Sequence, residues 1–355
     1  MSINHLKDNI FNKFYPLSQS KGLILKMDFL NNLLYIYKRN KWILDIKRYW
    51  KDYKQIDIEK PIFLLGTHGG GLTLISRMLR RNKKMISVTG NHNYWSGADE
   101  MQVVYGPILP KQLAGINHKV PNHPNLGTPR GWLYATDELI DKYRNNEKDV
   151  SPQLKEKFKK IIRWTIYRNR KDKKNNYYRF TDKSQVYTVK VAFINELLKE
   201  HNPKFILITR NPYAICYRSA KGKAGGLKAI EGRYNFMERL QFASEHWANS
   251  MEFALKDKEK VNNFLIIRFE DILRHPEKKL KMICDFSELN YNSEMLPQPH
   301  HKVPFGSRFK DRWYPLRPEV NEKYFKEMSS EHVNLIANKC ETYAKKFNYV
   351  KPTED

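Results

Sequence analysis

From residue 61 onward, the apolar positions of this chain alternate between short unbroken runs and longer stretches with helical spacing. Ile62-Phe63-Leu64-Leu65 is apolar throughout, and after a glycine-rich turn Leu72, Ile75, Met78 and Leu79 are spaced for a helix. The pattern then recurs. Residues 186–189 read as a strand and residues 193–200 as a helix. Phe205-Ile206-Leu207-Ile208 reads as a strand, with a helix beginning after Asn211-Pro212. Phe264-Leu265-Ile266-Ile267 is another, followed by a helix over about residues 277–286. Apolar strands separated by helices predict a parallel sheet covered on both faces, the three-layer α/β sandwich.

Two stretches break this rhythm. Residues 1–60 read as a helical extension, with Leu23, Met27, Leu30, Leu33, Leu34 and Tyr37 on one face and Lys26, Lys38 and Arg39 on others. Such a helix could rest on a membrane surface, but packing on the main domain, residues 61–355, is the favoured reading. Residues 90–135 are dense in Gly, Pro, Asn and His and lack periodicity, which points to a substrate-binding segment. Residues 155–174 carry ten basic and two acidic side chains, with Phe158, Ile161, Ile162 and Thr165 on one helical face. We read them as a solvated basic helix rather than a nucleic-acid reader.

Composition narrows the function. Sixty-four Lys and Arg against 38 Asp and Glu leave a net charge of +26, so the partner should be anionic. With 41% hydrophobic residues the chain can build a core. No apolar run approaches the roughly 18 residues needed to span a bilayer. Asn4, His5, Lys7 and Asp8 stand where a secretory leader would turn apolar. Cys216, Cys284 and Cys340 fit neither a disulfide framework nor a metal knuckle, so a reduced, cytoplasmic setting is expected.

The strongest chemical signal is the loop Gly66-Thr67-His68-Gly69-Gly70-Gly71-Leu72-Thr73, between a strand and a helix. Its glycines let backbone amides approach an anion at a helix N-terminus, and Thr73 adds a hydroxyl. The spacing mimics a nucleotide-triphosphate loop, but Leu72 occupies the lysine position, which disfavours ATP or GTP hydrolysis. A second signal is Arg210, which follows the strand at residues 205–208 where parallel sheets bind ligands, with Arg218 and Ser219 further down the next helix. A third is Arg268-Phe269-Glu270-Asp271-Ile272-Leu273, whose acidic pair we read as structural. A fourth is Arg308-Phe309-Lys310-Asp311-Arg312-Trp313, cations mixed with aromatics that suit an adenine and its phosphate.

These four motifs, in this order over about residues 61–316, resemble the sulfotransferases that use 3′-phosphoadenosine 5′-phosphosulfate (PAPS). The resemblance makes residues 66–73 the 5′-phosphosulfate loop and the run from Lys190 through Arg210 to Ser219 the 3′-phosphate site. It also makes residues 308–313 a loop closing over the nucleotide. It implies transfer of a sulfuryl group to an acceptor hydroxyl without a metal. Tyr94, Trp95 and Trp132 suggest stacking on a carbohydrate or glycolipid. A nucleotide-dependent kinase and an inactive nucleotide-binding relic are the competing readings.

The chain departs from the family pattern in two places. Gly69 stands where the family carries the loop arginine or lysine, and Ser219 falls one residue later than the family serine, whose position is held by Arg218. His68 or Lys190 is expected to supply the missing cation, with Lys190 placed by the resemblance on a neighbouring strand end. For the base we favour His92 over His68, Asp99 and Glu100, because histidine titrates near neutrality. Replacing Arg210 with alanine is expected to weaken nucleotide binding with little loss of fold.

Overall fold

The computed structural model describes residues 37, 40–89, 99–114, 133–170, 178–223, 227, 232–301 and 314–352. Five strands form one sheet among them: β1 (Ile62–Leu65), β2 (Met85–Ile86), β3 (Arg179–Asp182), β4 (Lys204–Thr209) and β5 (Phe264–Arg268). Their order is β2-β3-β1-β4-β5 and every pairing is parallel. Ile62 sits opposite Thr181 on one side and Lys204 on the other, so β1 is central. After β1 the chain moves toward β2; after β4 it moves the other way, to β5. The carboxyl ends of β1 and β4 therefore flank the switch point where open α/β sheets place their ligands.

Alternation along the strands divides the core. Phe63, Leu65, Phe205 and Leu207 face one layer, where they meet α2 (Pro152–Asn169), α3 (Val191–Leu198), α5 (Phe236–Lys258) and α8 (Ser330–Lys346). Ile62, Leu64, Ile206 and Ile208 face the other, against α1 (Leu72–Leu79), α6 (Phe269–Arg274) and α7 (Pro276–Ser287). The short helix α4 (Pro212–Arg218) follows β4, with Asn211 capping it by accepting from the Tyr213 N–H. The expected three-layer sandwich is present.

Two local expectations need revision. Residues 186–189 are not a strand but part of a 3-10 turn, Gln185–Val189, buried on all sides. A short apolar run alone cannot distinguish the two. The strand in that region is β3, Arg-Phe-Thr-Asp, whose polar ends enter the core because their hydrogen bonds are met. Arg179 donates to the carbonyls of Lys60 and Ser287, and Asp182 accepts from the N–H groups of Met101 and Ser184. The basic helix α2 ends at Asn169, not 174, and starts from a Ser151 cap followed by Pro152.

Within the 1–60 extension, Trp42, Tyr53, Ile56 and Ile58 are buried in the same core as the sheet. Trp42 packs edge-on against Tyr105 and Trp164, and the Trp164 indole donates to Asp45 at 2.7 Å. Apart from Tyr37, the amphipathic stretch from Leu23 lies outside the described residues. Among the described residues no helix is long and apolar enough to cross a membrane.

Candidate active site

The glycine loop leaves β1 at Gly66, whose N–H donates to the Thr188 hydroxyl at 2.8 Å. It is closed internally by the Gly70 N–H on the Thr67 carbonyl at 3.0 Å. Gly71 caps α1 at φ +99°, and a Cβ there would fall within the ring of Phe269. Glycine at 71 thus answers to Phe269 of α6 as well as to any ligand. The Leu74 and Ile75 amides donate to the Gly71 carbonyl, which leaves the amides of Leu72 and Thr73 at the open helix end as a candidate anion seat.

Arg210 follows β4 and is 5% exposed. Its Nε and Nη2 donate to Asn321 Oδ1 at 3.0 and 2.7 Å, and its Nη1 to the Gly69 carbonyl at 2.9 Å. The strand end is thereby tied to the loop. Asn321 is held in turn by Glu270, whose Oε1 accepts from Asn321 Nδ2 at 2.6 Å and from the Asn211 N–H at 2.9 Å. Glu270 Oε2 accepts from the Tyr349 hydroxyl at 2.9 Å. This buried network gives Glu270 the structural role expected of it. Burial, and after it the charge of Arg218, pull the Arg210 pKa down to about 10, still cationic at neutral pH.

Loop and arginine open on a cleft of about 520 Å³. Thr67, His68, Gly69, Gly71, Leu72 and Thr73 line one side of it; Arg210 and Arg218 line it from β4 and α4. Arg317, Lys323 and Tyr324, which the sequence did not single out, close it from the C-terminal segment. Glu100 is the carboxylate on this wall. Its Oε1 accepts from Lys183 Nζ at 2.7 Å and Gln185 Nε2 at 3.2 Å, and its Oε2 from Gln102 Nε2 at 2.6 Å. Asp99, as buried as Glu100, pairs with Arg80 and Lys183 and is not among the residues lining the cleft.

The other candidates separate. Burial lowers the His68 pKa to about 4, so the ring is neutral at pH 7 and can act as a hydrogen-bond donor rather than a cation. Ser219 lines a smaller cavity behind the loop. Lys190 is not among the residues lining the cleft: it caps α3 after the 3-10 turn rather than ending a strand, and its amine donates to the Gln112 carbonyl. Burial, and after it Arg144, bring its pKa down to about 7. Gly70 is buried within the loop turn. His92, Tyr94, Trp95, Trp132, Arg308, Lys310, Arg312 and Trp313 lie outside the described residues.

A family model described as the sulfotransferase family matches residues 61–293. The chain belongs to this family. Sulfotransferase STF9 from Mycobacterium avium is similar in fold, at 13% identity and a TM-score of 0.50, over 93% of this chain and 86% of that one. A sulfotransferase domain from the curacin biosynthetic pathway aligns at 18% identity and a TM-score of 0.49, over 83% of this chain and 99% of that one. No curated protein matches the chain.

Proposed function

We propose that the chain transfers a sulfuryl group from PAPS to a hydroxyl of a carbohydrate or glycolipid. One observation carries this reading: a glycine loop at a helix N-terminus and a buried arginine at the adjoining strand end line the same cleft. Two separated anion seats suit a nucleotide with a 5′-phosphosulfate and a 3′-phosphate. The cleft's size fits too, since small-molecule pockets run from about 300 to 1,000 Å³.

PAPS, when bound, supplies an activated sulfuryl group and a phosphate leaving group. The amides of Gly71, Leu72 and Thr73 and the Thr73 hydroxyl would hold the phosphosulfate end. Arg210 and Arg218 would hold the 3′-phosphate. Arg210 keeps two of its five N–H donors beyond those engaged with Asn321 and Gly69. Preorganised donors at the leaving oxygen lower the barrier because they need not reorient during transfer. Among the described residues, Glu100 is the carboxylate placed to accept the acceptor hydroxyl's proton. His92 keeps the role expected of it as a candidate outside them, and Arg308, Lys310, Arg312 and Trp313 keep theirs as the closing loop.

A peripheral membrane contact belongs to this reading, because a glycolipid acceptor sits at a bilayer surface. It is supported by Leu44, Ile46, Tyr49 and Trp50, which are 74%, 60%, 68% and 68% exposed. Lys41, Lys47 and Lys51 stand beside them in the sequence. Aromatic and basic side chains together favour the bilayer interface.

The deciding experiment incubates the protein with sulfur-labelled PAPS and separate glycan, glycolipid and phenol acceptors. Label transfer to a glycan or glycolipid is the expected result. Binding of adenosine 3′,5′-bisphosphate with no transfer to any acceptor would favour the nucleotide-binding relic, for which the glycine at position 69 speaks. Stabilisation by magnesium-ATP but not by the bisphosphate would favour a kinase.

A further inference from the structure

Glu100 and Gln185 both line the cleft and are 4% and 6% exposed. They come from different parts of the chain. Glu100 precedes the short helix Met101–Val104, and Gln185 opens the 3-10 turn that follows β3. The Tyr134 hydroxyl donates to the Gln185 carbonyl at 2.6 Å and holds that backbone in place.

A backbone anchor fixes the direction of each side-chain amide in this group. The Val186 N–H can only donate, and it reaches Gln102 Oε1 at 3.4 Å, so the other end of the Gln102 amide is Nε2. That nitrogen donates to Glu100 Oε2 at 2.6 Å and to Gln185 Oε1 at 2.5 Å. Gln185 is thereby oriented with its Nε2 toward Glu100, and it donates to Oε1 at 3.2 Å. Lys183 donates to the same Oε1 at 2.7 Å. A carboxylate has roughly four acceptor sites, so the one left after Lys183, Gln185 and Gln102 is on Oε2. Gln185 Nε2 carries a second N–H, which has no acceptor among the described residues. Two neighbouring residues of the cleft wall thus keep one acceptor site and one donor between them.

We propose that this pair reads the acceptor: Glu100 Oε2 accepts from the reacting hydroxyl while the Gln185 Nε2–H donates to a hydroxyl oxygen on the next carbon, so the site selects a vicinal diol over a lone hydroxyl. Gln185 is then a specificity-determining residue, and the inference rests on the function proposed above. In the transfer the acceptor oxygen bonds to sulfur and its proton passes to Glu100. The bond from sulfur to the bridging oxygen breaks, and its electron pair stays on the 5′-phosphate. The donor nucleotide does not satisfy the pair, because its ribose carries a phosphate on the 3′-oxygen and has no free vicinal diol. A phenol or an isolated alcohol fills the Glu100 site but leaves the Gln185 N–H without an acceptor. A site built to donate to a substrate oxygen rejects the analogue that lacks it.

Methyl glucoside, methyl galactoside and the ring-monodeoxy analogues of each test this on the full chain. The first measurement is binding to the protein holding adenosine 3′,5′-bisphosphate, by saturation-transfer NMR titration. Loss of either hydroxyl of one adjacent pair should weaken binding by about 10- to 100-fold, and loss of a hydroxyl elsewhere should cost less. The second is label transfer from PAPS, with the sulfated position located by mass spectrometry. Removing the hydroxyl next to that position should lower kcat/KM by about 10- to 100-fold in the wild type. In Gln185→Met, which keeps the length of the side chain without its amide, the same removal should change kcat/KM by less than about threefold. No binding by any glycoside of the set, equal binding by all of them, or transfer to the primary hydroxyl, which has no hydroxyl on the next carbon, overturns the proposal. So does a deoxy penalty that persists in the methionine variant, since another residue then reads the second oxygen. If that variant does not fold, the wild-type deoxy series still decides. A wild type that binds with the expected pattern yet transfers no sulfate overturns the function reading alone, because the binding titration needs no turnover.

Discussion

Arg210→Ala should damage both the fold and the nucleotide site, by amounts that can be separated. The guanidinium supplies both donors that reach Asn321 Oδ1, an atom on a side chain only 5% exposed. Alanine leaves that oxygen buried without them, at a cost of about 1–3 kcal/mol. Its third bond, to the Gly69 carbonyl, is lost at the cleft wall where water can replace it. Relief comes from removing a desolvated cation next to Arg218, whose charge opposes it. We therefore expect the unfolding free energy to drop by about 1–3 kcal/mol, not the small loss read from the sequence. For binding, one charge-assisted phosphate contact is worth about 1.5–3 kcal/mol, or roughly 10- to 150-fold in Kd.

Urea unfolding and calorimetric titration with adenosine 3′,5′-bisphosphate, at fixed ionic strength, read the two effects independently. Arg210→Lys is the informative comparison. It keeps the charge but cannot fork onto Asn321, so stability should fall nearly as far as in the alanine variant while binding falls less. If Kd is unchanged in Arg210→Ala while stability drops, Arg210 is only a strut and the 3′-phosphate is held elsewhere. If stability is unchanged, the reasoning from the Asn321 network fails.

Acid should destabilise the protein well above the usual carboxylate range. Burial lowers the pKa of His68 to about 4 and of His246 to about 3 from an ordinary 6.5, so the unfolded chain binds more protons than the fold below pH 6.5. Stability should fall as pH drops from about 6.5 to 4, with a limiting slope of about 1.4 kcal/mol per pH unit for each ring. Asp182, raised by burial to about 6 from 3.8, gives the opposite slope between those values and offsets part of the loss. Urea midpoints measured every half pH unit check this, and a midpoint that rises on acidification would refute it. Vesicle sedimentation tests the surface around Trp50. Binding should require anionic lipid, and the pair Tyr49→Ser with Trp50→Ser should weaken it at least about tenfold, since burying about 50 Å² of each ring at about 25 cal/mol per Å² contributes about 1 kcal/mol. Equal binding by the pair and the wild type would remove these residues from any membrane contact.

What could be read from the sequence follows the physics of burial. β1, β4 and β5 announce themselves because strands with apolar residues on both faces leave unbroken runs. β3 leaves no such trace: Arg179 and Asp182 are tolerated inside because backbone groups far along the chain satisfy them. The glycine loop and Arg210 were legible because loop chemistry is local and a strand end is a fixed place. Asn321 was not, since its part depends on meeting Arg210 across 111 positions of sequence. The same holds for His246, which reaches Ala135 across 111 positions from inside a long, ordinary-looking helix. Residues 317–324 carried no motif, yet they bring Arg317 and Lys323 to the cleft.

The altered loop and the new cations fit together physically. Gly69 has φ +81°, in the left-handed region, where an arginine or lysine would carry a backbone cost of about 1–2 kcal/mol. Its carbonyl is already engaged by Arg210. A loop cation at this position would therefore sit on a strained residue and beside an existing guanidinium. The chain instead leaves the loop as backbone, with His68 kept neutral by burial, and brings positive charge to the same cleft from β4, α4 and the segment around residues 317–323. Such a site still presents positive charge to an anion, drawn from three separate elements rather than from the loop itself.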